Sequence, residues 1–361
     1  MRIGLFKYHE FHEPILRPAW QALQVRHQCL LTAQESALIA FQPDVVIMAE
    51  AIAGRLRHAL PRALFVHTRH GLASKNVAYK GANECDFLCV TSEFVRDWYL
   101  KNGARPRRGF WVIGYLQMDS LFAGDDLALP VTLAPGRKTV LYAPTWNPEL
   151  SSAAMLGEDF HALLRGGHDD VSIIIKPHPL IATKFPEWMK IWREAASVDP
   201  NVHLIEQANC DVIPFLRAAD LLVTDASSVQ LEYLALDRPM VLINNPQRFT
   251  CKGFDPAGFE WAWRDMGEEV SRAEDVGAAV ADALANPNRR AAQRARYRQQ
   301  LFGNLMDGGT AARLAARVDA LERLLPLVRA QWLVGWPLRR ARGLGRRAGK
   351  FFAGVKARAT F

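Results

Sequence analysis

The chain has 361 residues and half of them are apolar, so it is long enough for two ordinary α/β domains with sizeable cores. No apolar run reaches the roughly 20 residues that a membrane-spanning helix needs, and the first residues lack the pattern of a signal peptide. The five cysteines are scattered and odd in number, which is typical of a protein from a reducing cytoplasm.

The formal net charge of +8 belongs to the carboxyl-terminal end. Residues 323–361 contain ten Lys or Arg and no acidic residue, so the rest of the chain is close to neutral. Within residues 331–361 these cations alternate with bulky aromatic side chains such as Trp332, Trp336 and Phe351. This mixture favours an anionic membrane surface as the partner of the tail. RNA binding and a disordered solubilising tail are the competing interpretations.

The first half alternates short apolar runs with helical patterns. Strands are predicted at residues 2–8, 43–48, 63–67, 86–90 and 108–113, and helices at residues 18–27 and from Ser92 to about residue 103. This alternation predicts a parallel sheet with helices on both faces, in a first domain of residues 1–124. Residues 125–136 are rich in turn formers and are predicted to be the interdomain linker.

The second half, residues 137–325, repeats the alternation. Strands are predicted at residues 138–144, 171–176, 202–205, 221–223 and 238–243, with a short helix at residues 211–219. Residues 268–325 are predicted to be mostly helical, and the last helix, residues 310–325, to run back to the interface. The sequence therefore predicts two doubly wound domains followed by a basic tail, residues 326–361. Ligands of such sheets bind beyond the carboxyl ends of the strands.

Residues 219–236 read as a buried strand, a tight turn and a helix start. The turn contains Thr224, Asp225, Ser227 and Ser228, and the helix begins at Val229. Backbone N–H groups at a helix start, together with two hydroxyls, can hold a phosphate or a diphosphate. An ordinary helix cap is the competing interpretation, because Ser and Asp cap helices in many proteins.

Two histidines follow predicted strands in separate domains. His70 precedes Gly71, which lets backbone approach a ligand, and Lys75 follows as a possible cation. His178 lies between two prolines and, with Lys176, offers donors to a phosphate. Histidine suits proton abstraction from an alcohol near neutral pH. His9 and His12 are secondary candidates for the cleft, whereas His67 is expected to be packed.

Six short motifs occur in order along residues 60–325: His70-Gly71 with Lys75, Gly114-Tyr115, Tyr142-Ala143-Pro144-Thr145, Lys176-Pro177-His178-Pro179, residues 224–228 with Glu232, and Asp307-Gly308. In this order they resemble the CDP-glycerol glycerophosphotransferase family, whose members build teichoic acids and related phosphate-containing capsules. The resemblance implies a GT-B architecture, in which two Rossmann-like domains face each other across a cleft.

The resemblance also implies roles for individual residues. His70 would be the general base that deprotonates the acceptor hydroxyl, and His178 would contact the transferred phosphate or the leaving diphosphate. The donor pocket would be formed by Ser227, Ser228, Thr145, Lys176, Thr224, Asp225 and Glu232, with Gly71, Lys75 and Gly114 elsewhere in the cleft. The expected donor is CDP-glycerol or a related CDP-alditol, and the expected acceptor is a lipid-linked or polymeric hydroxyl compound.

No paired carboxylate of the kind that holds Mg²⁺ is apparent in the sequence, so we expect neither a metal nor another cofactor. We expect no nucleic-acid partner and a location on the inner face of the cell membrane. The main rival hypothesis is a GT-B glycosyltransferase that uses a nucleotide sugar in envelope polysaccharide synthesis. Two weaker hypotheses are a non-catalytic membrane scaffold with this fold and an RNA-binding protein led by its tail.

Overall fold

The computed structural model describes residues 1–73 and 78–326, which form two parallel β-sheets flanked by helices. Lys75 and the basic tail, to which the membrane prediction applies, lie outside the described residues. Within the described part of the chain, no helix is long and apolar enough to cross a membrane.

The first sheet has six parallel strands in the order β2-β1-β3-β4-β5-β6. The strands are β1 (Arg2–Phe6), β2 (Gln28–Thr32), β3 (Val45–Met48), β4 (Leu64–His67), β5 (Phe87–Val90) and β6 (Gly109–Val112). The central strands β3, β4 and β5 are wholly buried, as their continuous apolar runs predict. Strand β2 was not predicted from the sequence, because it lies at the edge and no residue in it is fully buried.

The second sheet also has six parallel strands, in the order β12-β11-β10-β7-β8-β9. The strands are β7 (Lys138–Ala143), β8 (Val171–Ile175), β9 (Val202–Leu204), β10 (Leu221–Thr224), β11 (Met240–Ile243) and β12 (Glu268–Val270). The prediction of a helical segment from residue 268 onward was wrong at its start, because Glu268–Val270 is an edge strand too short to carry a periodic pattern. The predicted fold class of two doubly wound α/β units is confirmed.

Helices connect successive strands on both faces of the two sheets. In the first half they are α1 (Glu13–Leu23), α2 (Glu35–Phe41), α3 (Ala53–Leu56), α4 (Ala78–Glu84), α5 (Glu93–Lys101) and α6 (Asp119–Ala123). In the second half they are α7 (Ala153–Leu156), α8 (Phe160–Arg165), α9 (Ile181–Lys184), α10 (Pro186–Val198), α11 (Ile213–Ala218), α12 (Val229–Tyr233), α13 (Phe259–Ala262), α14 (Val276–Ala285), α15 (Ala291–Phe302) and α16 (Thr310–Leu321).

Helix α1 begins five residues before the predicted start at Pro18. Pro14 occupies the first turn of the helix, where a missing N–H costs nothing, and Pro18 lies inside the helix. The apolar face of the helix, which includes Ile15, Leu16 and Leu23, packs on the first sheet.

Helix α16, the last helix of the described residues for which bounds are given, returns to the first half of the chain. Its residues Leu314, Val318 and Leu321 are buried in the core cluster that contains the apolar face of α1. At its start, the backbone N–H groups of Thr310 and Ala311 donate to the Asp119 carboxylate at 3.0 and 2.7 Å. A negative charge at a helix start is stabilising, so these bonds fix the helix against the first domain.

Residues 125–136, the predicted linker, contain no helix or strand. The alternate residues Leu127, Leu129, Val131 and Leu133 pack against a buried apolar cluster that includes Phe65 of the first sheet and Leu222 of the second. This segment is therefore attached along its length to the body of the protein.

Both sheets reverse their strand order once, between β1 and β3 in the first sheet and between β7 and β10 in the second. Loops that leave such a switch point in opposite directions open a crevice at the carboxyl ends of the strands. The crevices of the two sheets meet in one cavity.

Candidate active site

The cavity between the two sheets has a volume of about 300 Å³ and is lined by loops from both halves of the chain. It brings together most residues that the motifs single out. The predicted site residues in its wall are His70, Gly71, Thr145, Lys176, His178, Ser227, Ser228 and Glu232.

His70 follows β4 on the first-domain side of the cavity. Its Nδ1 lies 3.1 Å from the carbonyl oxygen of Ala49 and 3.4 Å from a carboxylate oxygen of Glu50. Because a carbonyl oxygen can only accept, Nδ1 carries the proton in this contact and Nε2 is the basic nitrogen. This is the tautomer that a general base needs.

His178 follows β8 on the opposite side of the cavity. Its Nδ1 accepts the backbone N–H of Leu180 at 3.2 Å, two residues further along the same loop. The proton of the neutral ring is therefore on Nε2, which makes that nitrogen a donor. The two histidines thus have complementary tautomers, one suited to taking a proton and the other to donating to an anion.

Lys176, one residue past β8, is buried in the cavity wall. Burial lowers the pKa of its ammonium group, and the neighbouring Cys210 and Asp211 act in the opposite direction. A bound diphosphate would add negative charge here and would stabilise the charged form of this lysine.

Glu232 lies in the cavity wall and is 2 % exposed. Burial, with a smaller contribution from Asp211, raises its pKa to about 8. Asp211 in turn accepts from Gln117 Nε2 at 2.9 Å and from the backbone N–H of Ile213 at 3.2 Å. Glu232 is therefore mainly protonated at neutral pH, so it can donate a hydrogen bond to a ligand.

Ser227 and Ser228 precede α12, as predicted, and both line the cavity. Gly71 approaches them from the first domain, so that a Cβ atom added at Gly71 would lie 2.9 Å from Ser228 Oγ. A methyl group at position 71 would therefore force Ser228 to shift.

Thr224 and Asp225 were predicted in the donor pocket, but the structure places them behind its wall, fully buried. The Asp225 carboxylate accepts the backbone N–H groups of Thr145 and Ser152 at 2.9 and 2.8 Å, and the Ser152 hydroxyl at 2.9 Å. Thr224 Oγ1 donates to the carbonyl oxygen of Ala143 at 2.6 Å. Both residues therefore hold the loop after β7 in place and do not face the cavity.

Gly114 lies at the end of β6, away from the cavity. Its φ of 100° is in the region that favours glycine, and an added Cβ atom would lie 2.4 Å from Thr310 Oγ1. A glycine at this position is explained by the close approach of α16.

The loops after β1 and β3 contribute residues that the sequence analysis ranked low or missed. His12 is fully buried, its ring lies 5.2 Å from the His70 ring, and neither of its nitrogens has a hydrogen-bond partner among the described residues. Burial, and then the neighbouring His70, lowers the pKa of His12 to about 3, so its ring is neutral. Phe11 lines the cavity between His70 and His178. The histidines after β1 were the available sequence signal, whereas Phe11 and Glu50 gave none.

His12, Glu50 and His70 form what we call the imidazole–carboxylate cluster. One ligand atom from each of the three lies within 4.8 Å of the others. Imidazole nitrogens and a carboxylate are a donor set that suits Zn²⁺ and similar ions. The cluster is therefore where a transition metal ion would bind, if one enters this cavity.

A family model described as CDP-glycerol:poly(glycerophosphate) glycerophosphotransferase matches residues 45–319. The chain belongs to this family. Its members are transferases by that description, and the family resemblance seen in the motifs is confirmed. The matched region contains His70, His178 and the loop of residues 224–228, whereas Phe11 and His12 precede it.

Among curated proteins, a teichoic acid glycerol-phosphate transferase of Staphylococcus aureus (strain NCTC 8325 / PS 47) is 27% identical over 110 residues. This match covers 29% of the chain and spans about a quarter (25%) of that relative's length.

Several solved structures share the fold. The wall teichoic acid polymerase TagF superimposes with a TM-score of 0.67 at 16% identity, covering 90% of this chain and 89% of that one. The UDP-GlcNAc 2-epimerase of Neisseria meningitidis, solved with UDP-GlcNAc bound, gives a TM-score of 0.60 at 14% identity and covers 90% and 100%. These likenesses confirm the GT-B arrangement of two Rossmann-like domains.

Proposed function

We propose that this glycerophosphotransferase-family protein moves glycerol phosphate, or a related phosphoalditol, from a CDP-activated donor to a hydroxyl group of a cell-surface polymer or lipid-linked precursor. CMP is the other product. The observation that carries the proposal is the placement of His70 and His178, with complementary tautomers, on opposite sides of one cavity.

In the proposed reaction the acceptor hydroxyl donates its proton to Nε2 of His70 as its oxygen attacks the β-phosphorus of the donor. The bond between that phosphorus and the oxygen of CMP breaks, and CMP leaves with the electron pair. General base catalysis of this kind contributes roughly 10²- to 10⁴-fold to the rate. The Ala49 carbonyl accepts from Nδ1–H of His70, which orients the ring and makes Nε2 the basic nitrogen of its neutral form.

The second domain is proposed to hold the donor. Lys176, Nε2 of His178 and the hydroxyls of Ser227 and Ser228 lie around the same cavity and can donate to the oxygens of a diphosphate. Protonated Glu232 can donate to a further oxygen of the nucleotide. Phosphoryl transfer depends mainly on positioning and on stabilisation of charge, which these groups supply.

We further propose that residues 331–361 attach the protein to the anionic inner face of the cell membrane, where a lipid-linked acceptor would be found. The support for this step is the combination of basic and aromatic residues in the sequence. Removal of the residues after Arg329 should release the protein from vesicles containing anionic lipid and preserve transfer to a soluble acceptor. Loss of transfer to the soluble acceptor would show that the tail belongs to the catalytic unit.

The decisive experiment measures CMP release from CDP-glycerol in the presence of a short glycerol phosphate oligomer. Wild-type protein should release CMP, and His70→Ala should be slower by about 10²-fold or more. His168→Ala is the matched control, because His168 is exposed just before the amino end of β8, whereas the cavity lies at the carboxyl ends of the strands. Release from a nucleotide sugar and none from CDP-glycerol would instead support the glycosyltransferase hypothesis.

A further inference from the structure

Phe11 links the two histidines of the proposed reaction. Its ring centroid lies 6.3 Å from that of His70 and 5.8 Å from that of His178, with edge-on geometry in both pairs. The two histidines come from different sheets, so a single side chain from the loop after β1 borders both sides of the reaction centre. Phe11 itself lines the cavity.

The segment that carries Phe11 is held firmly. Residues Glu10–His12 form a short 3₁₀ turn, in which His12 N–H donates to the carbonyl oxygen of His9 at 3.0 Å. Lys7 Nζ contacts carboxylate oxygens of Glu10 and Glu13 at 2.7 and 2.6 Å, which connects the turn to the strand before it and to the helix after it.

Further aromatic contacts fix the orientation of the Phe11 ring. The His9 ring stacks on it at 4.9 Å, and the His12 ring meets its edge at 4.6 Å. His12 also lies nearly parallel to His70, with 23° between the ring planes. Phe11 is therefore an apolar wall with a fixed place between His70, the proposed proton acceptor, and His178, the proposed hydrogen-bond donor to phosphate.

This wall bears on a side reaction that any such transferase must limit. Water can attack the donor in place of the acceptor hydroxyl. Its oxygen forms the new bond to the β-phosphorus, its proton passes to His70 Nε2, and the bond to CMP breaks. The products are then glycerol phosphate and CMP, and the activated donor is lost. Exclusion of water from the cleft is a recognised way to prevent such hydrolysis.

We infer that Phe11 excludes water from the space between His70 and His178, and so favours transfer over hydrolysis. This inference rests on the proposed function. It assigns a role to a segment that precedes the region matched by the family model. The volume of the aromatic ring is the property that matters, because a smaller side chain would leave room for water beside both histidines.

The test measures how CMP formation from CDP-glycerol divides between two fates, elongation of a glycerol phosphate oligomer and release of free glycerol phosphate. In Phe11→Ala the hydrolysed share should rise about tenfold over wild type. Phe11→Leu, which keeps most of the apolar volume, should give a smaller rise, and Phe11→Tyr should keep the wild-type division. Phe249→Ala is the control for loss of an aromatic ring, because Phe249 is 68% exposed.

Binding of CDP-glycerol, measured by calorimetry, shows that each variant is folded. An unchanged hydrolysed share in a Phe11→Ala protein that binds the donor would overturn the inference, as would equal loss of hydrolysis and transfer. Wild-type protein that releases no CMP would overturn the proposed function as well, so the two failures are distinguishable.

Discussion

Replacement of Glu232 by glutamine should change how the stability of the protein depends on pH. The glutamate carboxyl is buried, and its pKa is raised from 4.5 to about 8. The folded state therefore keeps the proton over a pH range in which the unfolded state has lost it. The stability that this group contributes is fully present below pH 4.5 and is lost as the pH rises through about 8.

The size of the effect follows from the shift of about 3.5 pKa units, each worth about 1.4 kcal/mol, which gives about 5 kcal/mol. This is an upper bound, because water that enters the cavity stabilises the ionised carboxylate. Glutamine has the same shape and does not titrate. The free energy of unfolding of Glu232→Gln, relative to wild type, should therefore rise by about 2 to 3.5 kcal/mol between pH 5 and pH 8.

The assay is denaturant unfolding of both proteins at half-unit steps of pH. The difference between the two proteins is the quantity to follow, since the buried His12 and His67, whose pKa values are lowered to about 3, make stability rise with pH up to about 6.5 in both. Glu187→Gln is the control, because Glu187 is exposed on α10. Parallel pH curves for wild type and Glu232→Gln would refute the assignment of a protonated Glu232.

Three further outcomes are expected. Lys176→Met should weaken CDP-glycerol binding by roughly 30-fold, measured by calorimetry, because a charged hydrogen-bond donor in the cavity wall is lost; unchanged affinity would exclude this lysine from the donor site. Gly71→Ala should reduce transfer by forcing the cleft apart at Ser228, whereas Gly253→Ala, whose new methyl would meet a sulfur atom at 3.7 Å, should be neutral; equal effects of the two would contradict the close-approach argument. Added Zn²⁺ should inhibit transfer by binding the imidazole–carboxylate cluster, and Glu50→Gln should raise the concentration required; equal inhibition of both proteins would place the ion elsewhere.

The strands that position the site could be predicted because they are buried on both faces. The apolar run of β8 predicts both a strand and the place where Lys176 and His178 emerge from it. The same reasoning places His70 after β4. Two of the edge strands gave weaker signals, since β2 is half-exposed and β12 has only three residues.

The parts of the site that could not be predicted depend on strand order. Phe6 pairs with Met48, and Met48 pairs with His67, so the loops after β1, β3 and β4 converge at one point. This neighbourhood brings Phe11 beside His70, although the two are distant in sequence. Asp225 shows the converse, because this carboxylate, in a motif predicted to bind phosphate, holds the loop that contains Thr145.

The return of α16 to the first domain has a consequence for how the protein is made. A fragment cut at the linker would lack Leu314, Val318 and Leu321, which fill the core beside α1. The amino-terminal half would thus expose apolar surface until the last described helix has been synthesised. During translation the second half can complete one of its core clusters first, because all members of that cluster lie between residues 140 and 284. The first half to emerge from the ribosome is therefore expected to be the last to reach its native state.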